Sequence, residues 1–350
     1  MTMRTLSMAV VASLGCLLWP AAVPAAEDTA IEPVEKWAGV LGGSEVKFHY
    51  TVRTTQALEG RIEWSLSVNR RTIQRGQLPL VASAEHVAEA TVALKVPEVK
   101  EGVILESQLS IAAYKAGGQK PAAEHVKKIW IFPPNPFADR TRWLKDLGIT
   151  LFDPEGKTAD RFEKAGIPFH FTKNTASLDE LREGLLVIGE GTAWRDYRSL
   201  GKTIVKTAAR GVPVLCLAPG EGAIALPGAE EADLPAPSRL SLRREDVIQE
   251  LDKRLDFVAW PPLGEITSSR LMVKSDRGQV VIEAAKDLRG WSWLEVRWPA
   301  PRGRLLIICG FGIIRQWDAG PAPRYLLSEL FTRLTTEKLS VLLPQEERED

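Results

Sequence analysis

The chain has 350 residues, 45% of them hydrophobic and 26% charged, proportions that fit a globular protein long enough for two cores rather than one. Its 45 Lys and Arg balance 45 Asp and Glu, so neither nucleic acid nor an anionic membrane surface is favoured as a partner.

In chain order, Arg4 precedes an apolar stretch from Met8 to Leu18, and small residues follow at Ala21-Ala22-Val23-Pro24-Ala25-Ala26. That order is the one a secretory signal peptide has, spanning 1–26 and cut after Ala25 or Ala26, and the apolar run is too short to cross a bilayer. The expected destination is the periplasm or the extracellular space. Cys16 follows Ser13-Leu14-Gly15, where a Leu three residues back is usual for lipid attachment, so no lipid anchor is expected. Cys216 and Cys309 lie in apolar runs, where a buried thiol acts as a small hydrophobe. Their spacing leaves pairing open.

Residues 27–134 are the expected first domain, and within it 44 to about 132 read with period two. Val46, Phe48, Tyr50 and Val52 alternate with polar residues, as do Ile62, Trp64, Leu66 and Val68. Val92 to Val96, Leu105 to Ala113 and Ile129 to Phe132 give further strands, punctuated at Asn69-Arg70, Gly76, Pro97 and Gly117-Gly118. Such spacing predicts an antiparallel β-sandwich with Trp64 between the sheets. Pro133-Pro134-Asn135-Pro136 is a stiff break that marks the boundary.

Residues 135–342 alternate strand and helix. Strands are expected at Ile149–Phe152, Pro168–Phe171, Leu185–Ile188, Val212–Leu217, Val280–Ala284, Trp293–Trp298 and Arg304–Cys309. Helices are expected at Thr158–Ala165, at Leu178–Glu183 behind a Ser177/Glu180 capping box, at Tyr197–Arg210 and at Ala322–Leu334. Continuous apolar strands between amphipathic helices predict a mostly parallel sheet covered on both faces. The acidic tail 343–350 is expected to lack structure. The fold class is therefore α/β plus all-β.

Gly211-Val212-Pro213-Val214-Leu215-Cys216-Leu217-Ala218-Pro219-Gly220 resembles class I glutamine amidotransferase-like domains, and more closely their non-catalytic versions attached to β-galactosidase-type proteins. Gly303-Arg304 and Pro323-Arg324-Tyr325-Leu326-Leu327 fit the same likeness. The first half is similar to the Ig-like modules of those proteins at Ile62-Glu63-Trp64-Ser65-Leu66 and Trp130-Ile131-Phe132-Pro133. The resemblance implies a flavodoxin-like α/β domain with a Cys nucleophile on the turn after Val214-Leu215 and a late His–Glu pair. Here Ala218 stands at that turn, Cys216 lies two residues earlier, and no histidine follows His170. A nucleophile without a base is weak, so amidotransfer and any Cys/Ser-His mechanism supplied by this domain alone are excluded.

The remaining candidates form a binding rim: Asp153, His170, Glu190, Gly191, Trp194, Glu221, Trp291 and Trp293. Asp153, Glu190 and Glu221 end or follow strands, where ligands enter α/β sheets, and paired acids can hydrolyse glycosides. Trp291 and Trp293 share a face at period two, and exposed aromatic planes stack on sugars or fill protein interfaces. The histidines His49, His86 and His125 are read as surface residues, and none has metal-ligand spacing from another. Gly156-Lys157-Thr158 lacks the earlier glycine of a phosphate loop, and Gly189-Glu190-Gly191 lacks the rest of a dinucleotide fingerprint. No metal and no cofactor are expected. The sequence is read as an exported, non-catalytic accessory protein with a carbohydrate or protein partner. The alternatives are a glycoside hydrolase-like enzyme using the strand-end acids, or a purely structural envelope protein.

Overall fold

A computed structural model describes residues 28–227, 235–256, 266, 268–284, 290–299 and 305–342. The expected leader with Cys16, the tail 343–350, Trp260 and Gly303-Arg304 lie outside the described residues. The fold mixes helices with antiparallel and parallel sheets. No helix among the described residues is long and apolar enough to cross a membrane.

The first half holds β1 (Thr29–Pro33), β2 (Gly39–Leu41), β3 (Glu45–Thr54), β4 (Leu58–Val68), β5 (Arg71–Ala82), β6 (Ala88–Lys95), β7 (Leu105–Lys115) and β8 (Ala123–Phe132). They form a sheet β1-β3-β6 and a sheet β2-β8-β7-β4-β5, antiparallel except where β2 runs parallel to β8. Alternate residues of both sheets, among them Phe48, Tyr50, Ile62, Leu66, Val92 and Ile111, bury one apolar cluster between them. Period-two patterning thus buries one face of each strand. Two expectations change. Gly76, read as a turn, lies mid-strand in β5 opposite Trp64, and a Cβ there would meet the Trp64 ring at 2.6 Å. His125, read as a surface residue, is only partly exposed and pairs with the buried Tyr50 ring at 5.9 Å.

The second half adds α1 (Thr141–Asp146), β9 (Ile149–Phe152), α2 (Lys157–Ala165), β10 (His170–Thr172), α3 (Thr175–Asp179), β11 (Leu185–Ile188), α4 (Leu200–Ala209), β12 (Val214–Leu217), β13 (Gly222–Ala225), β14 (Arg239–Arg243), α5 (Asp246–Leu251), β15 (Leu271–Ser275), β16 (Gly278–Ile282), β17 (Trp293–Arg297), β18 (Leu305–Cys309) and α6 (Pro321–Leu342). The seven-stranded sheet runs β10-β9-β11-β12-β18-β17-β14, parallel through β18 and antiparallel in its last two strands. Residues of α1, α2, α5 and α6 bury one face, and residues of α3 and α4 the other. A small sheet β13-β15-β16 stands beside it. Helix α3 is capped by the Asn174 side chain, which accepts from the Ala176 amide at 2.9 Å, and not by the expected Ser177.

The halves are joined by specific contacts. Phe132 and Tyr325 rings lie 4.7 Å apart, Tyr325 Oη donates to the Pro133 carbonyl, and the Ala38 and Gly39 amides donate to Asp256 at 3.0 and 2.9 Å.

Cys216 and Cys309 sit on adjacent strands, but Cys216 packs into one face cluster and Cys309 into the other, so both remain free thiols. Burial pushes both thiols far up. A thiolate is needed for attack on a disulfide reagent. The native protein should therefore leave an aromatic disulfide reagent unreacted at Cys216 and Cys309, and both should react after unfolding in guanidinium. Fast labelling of either in the native state would contradict this packing.

Candidate functional site

The carboxyl ends of β9, β11, β12 and β18 form one edge of the large sheet, and the chain reverses its direction of travel across the sheet between β9 and β11. Ligands enter doubly wound sheets at such a point. Asp153 directly follows β9, and Gly189-Glu190-Gly191 follows β11. Gly191 takes φ 81°, a left-handed turn that favours glycine. Its amide donates to the Ala218 carbonyl, and the Gly220 amide donates back to Thr192, which stitches the two loops together.

The acids at this edge are turned inward. Asp153 is fully buried, and its Oδ2 accepts from the Thr158 and Ala159 amides at 2.7 and 2.9 Å. It thereby takes the free donors at the start of α2, which a phosphate would otherwise use. Oδ1 has no hydrogen-bond partner among the described residues. Glu190 keeps 6% exposure and accepts from the Ile314 amide at 2.6 Å, the Arg315 amide at 3.1 Å and Arg315 Nε at 3.2 Å. Burial raises its carboxyl above the usual range, against the Ile314 and Arg315 donors that favour the charged form. Thr158 links the two acids, because its Oγ1 accepts from the Glu190 amide at 2.9 Å.

The other expected rim residues go elsewhere. Glu221 is exposed and pairs with Arg195. Trp194 is 4% exposed beneath Gly222, and its Nε1 finds no acceptor among the described residues. Trp293 is fully buried, with its indole N–H donating to Glu295 at 3.1 Å. Trp291 packs into the opposite face cluster under the Arg244 guanidinium, 5.0 Å away. The expected shared face fails because Trp291 pairs with Ile282 of the small sheet, so the chain turns between two sheets before β17 begins. His170 is exposed and level with Thr150 near the amino end of β9, away from the carboxyl edge. Asp153 and Glu190 are therefore the pair the fold brings together, and both are buried.

Two depressions flank this edge. One of 280 Å³ lies between Lys157, Arg161 and Arg315, with Glu190 at its base. The other, of 580 Å³, lies between Trp194–Ser199, β13 and Lys274. Among the described residues no cluster of three or more His, Cys, Asp or Glu side chains could hold a metal ion.

Glu295, which sits in an apolar run and was no candidate, proves to be the buried acid that ties α6 to the sheet. Its Oε1 lies 2.7 Å from Arg333 Nε, and Oε2 accepts from Arg297 and Arg333 at 3.2 and 3.1 Å. Burial opposes its charge, yet the Arg333 hydrogen bond and charge, the Trp293 indole and Arg297 outweigh it and hold the carboxyl below the usual range. A single acid inside β17 (Trp-Leu-Glu-Val-Arg) was the available signal, since a buried charge needs a partner.

No family model matches the chain, and no curated protein matches it. Solved structures overlap it weakly. A sporulation control protein from Bacillus subtilis is 14% identical with TM-score 0.27, over 35% of this chain and 56% of its own. A Paenibacillus cycloisomaltooligosaccharide glucanotransferase is 9% identical with TM-score 0.26, over 54% and 28%. A putative β-galactosidase from Bacteroides fragilis is 8% identical with TM-score 0.21, over 55% and 38%. The chain thus spans less than two thirds of each of these neighbours.

Because folding holds Glu295 below its unfolded value, its contribution is complete above the unfolded Glu value of about 4.3 and is lost as pH falls below it. Glu295→Gln should cost on the order of 2–3 kcal/mol at pH 7, the low end for a buried pair because the two arginines stay about 30% exposed. Urea melts between pH 7 and 3 should show the variant losing less stability on acidification than the parent. An equal acid slope would refute the assignment.

Proposed function

We propose that the chain is an exported, non-catalytic accessory or binding protein, carbohydrate-related or a scaffold for a protein partner. In this reading an Ig-like sandwich precedes a degenerate amidotransferase-like domain. The strand order β10-β9-β11-β12-β18 supports the flavodoxin-like part, because it corresponds to the 2-1-3-4-5 order of that fold. Ala218, 1% exposed at the turn where the family places its nucleophile, and the absence of histidine after His170 support its degeneracy.

One observation carries the reading against the hydrolase alternative. Glu190 spends both carboxylate oxygens on the chain's own loop at Ile314 and Arg315, and Asp153 spends one on α2. A general acid or base must reach the proton it moves, and these two buried groups are engaged by donors of the chain itself. Export is supported by the order of residues 1–28 alone.

The test is to incubate the mature protein with aryl glycosides, aryl esters and amides, and to screen it in parallel on a glycan array with Trp291→Ala as control. No turnover above the buffer blank is expected. Turnover that falls at least about ten-fold in Glu190→Gln, a loss of about 1.4 kcal/mol in transition-state binding, would replace this proposal with the hydrolase.

A further inference from the structure

The outer face of the sheet β2-β8-β7-β4-β5 carries a trough of 690 Å³, within the size range of small-ligand sites. Register defines its walls and floor. One rung runs Gln77, Glu63, Ala112, Glu124 across β5, β4, β7 and β8, and the next runs Arg75, Ser65, Ser110, Val126. The central strands β4 and β7 contribute the small Ser65, Ser110 and Ala112 beside the longer Glu63 and Tyr114, and longer side chains rise on β5 and β8. Small residues between long ones make the depression.

Part of its polar lining is uncommitted, while Gln77 Nε2 donates to Glu63 at 3.4 Å. Among the described residues, Arg75 and Glu124 hold no ion pair, and the Ser65 and Ser110 hydroxyls make no side-chain hydrogen bond. Glu63 is engaged by Arg61 at 2.7 Å, and Arg61 stacks over the Tyr114 ring at 4.8 Å. Charges therefore balance: Arg61 against Glu63, Arg75 against Glu124. A polyanion would meet Glu124 and a polycation Arg75, so neither is favoured. A protein partner usually needs a charge-poor, apolar centre with aromatic anchors, and the floor here is two serines and an alanine. Hydroxyl-rich ligands suit it better, since a carboxylate accepts from two hydroxyls, a guanidinium donates to two, and an aromatic face takes the apolar side of a ring.

The geometry points to a binding site for a neutral oligosaccharide chain in this trough, with Glu124, Arg75 and Gln77 holding hydroxyls and Tyr114 bordering one sugar ring. It rests on the reading of the chain as a binding protein, and moves the site from the α/β edge to the sandwich.

Native affinity electrophoresis of the full mature chain tests it, in gels containing xylan, mixed-linkage β-glucan, galactomannan or soluble α-glucan, with alginate and polygalacturonate as anionic counterparts. At least one neutral polymer should retard the protein, and Ser110→Trp, which fills the floor, should weaken that retardation at least about ten-fold. Glu124→Ala and Gln77→Ala, both exposed positions, should weaken it as well, and they decide the matter if Ser110→Trp lowers the melting temperature. Trp291→Ala should change nothing. Retardation by the anionic polymers alone, by none of the polymers, or unaltered in the trough variants overturns the site. Binding lost instead in Trp291→Ala would also overturn it while leaving the broader binding reading in place. Polymer cleavage by the parent but not by Glu190→Gln would overturn that broader reading.

Discussion

A carboxylate taken out of water must be met by donors, and Glu190 is met by three from the segment after β18, the Ile314 amide and the amide and guanidinium of Arg315. Its own amide is held by Thr158, whose amide in turn is held by Asp153. The end of β9, the start of α2, the turn after β11 and the loop after β18 are thereby bound at one point. That loop is drawn over the carboxyl edge of the sheet. The two strand-end acids act as fasteners between these segments.

The junction between the halves follows similar rules. Pro133 and Pro134 have no amide to donate, so their carbonyls are what the junction can use. Tyr325 Oη and Arg324 Nη1 donate to them from the first turn of α6, and Asp256 receives the amides of Ala38 and Gly39. Burial raises the Asp256 carboxyl, opposed by the Gly39 and Ala38 amides and by the nearby Lys127 charge. These contacts lie at the Phe132 end of the sandwich. The trough lies along β4, β5, β7 and β8 on the outer face, where Val126 remains 59% exposed.

Several elements were legible because periodicity reports burial. Phe48, Tyr50 and Val52, or Ile62 and Leu66, alternate and are buried, and the unbroken run Leu185–Ile188 is buried on both faces. Strand β5 was not legible. Its segment from Arg71 to Gln77 carries little apolar signal, because the inward place at Gly76 is filled by Trp64 from the neighbouring strand. The rim candidates were legible as positions and not as orientations. Asp153, Gly191 and Glu190 do stand at the carboxyl edge, but whether a strand-end acid faces solvent or a helix amide depends on segments far away in sequence, here 158–159 and 314–315.

What the sequence by itself determined is the division into an alternating, β-rich half and a strand–helix half, the break at Pro133-Pro134, and the absence of histidine after His170. These are local matters of period, backbone restriction and residue identity. Only the tertiary structure decided that Glu190 is held by the loop at Ile314 and Arg315, that Cys216 and Cys309 face opposite sides, and that Trp291 and Trp293 part company at the meeting of two sheets. It also brought Arg75, Ser65, Ser110 and Val126 into one rung although they lie on four separate strands. Side-chain alternation says which face a residue takes, whereas its neighbours on that face are set by strand order and register, which no local pattern encodes.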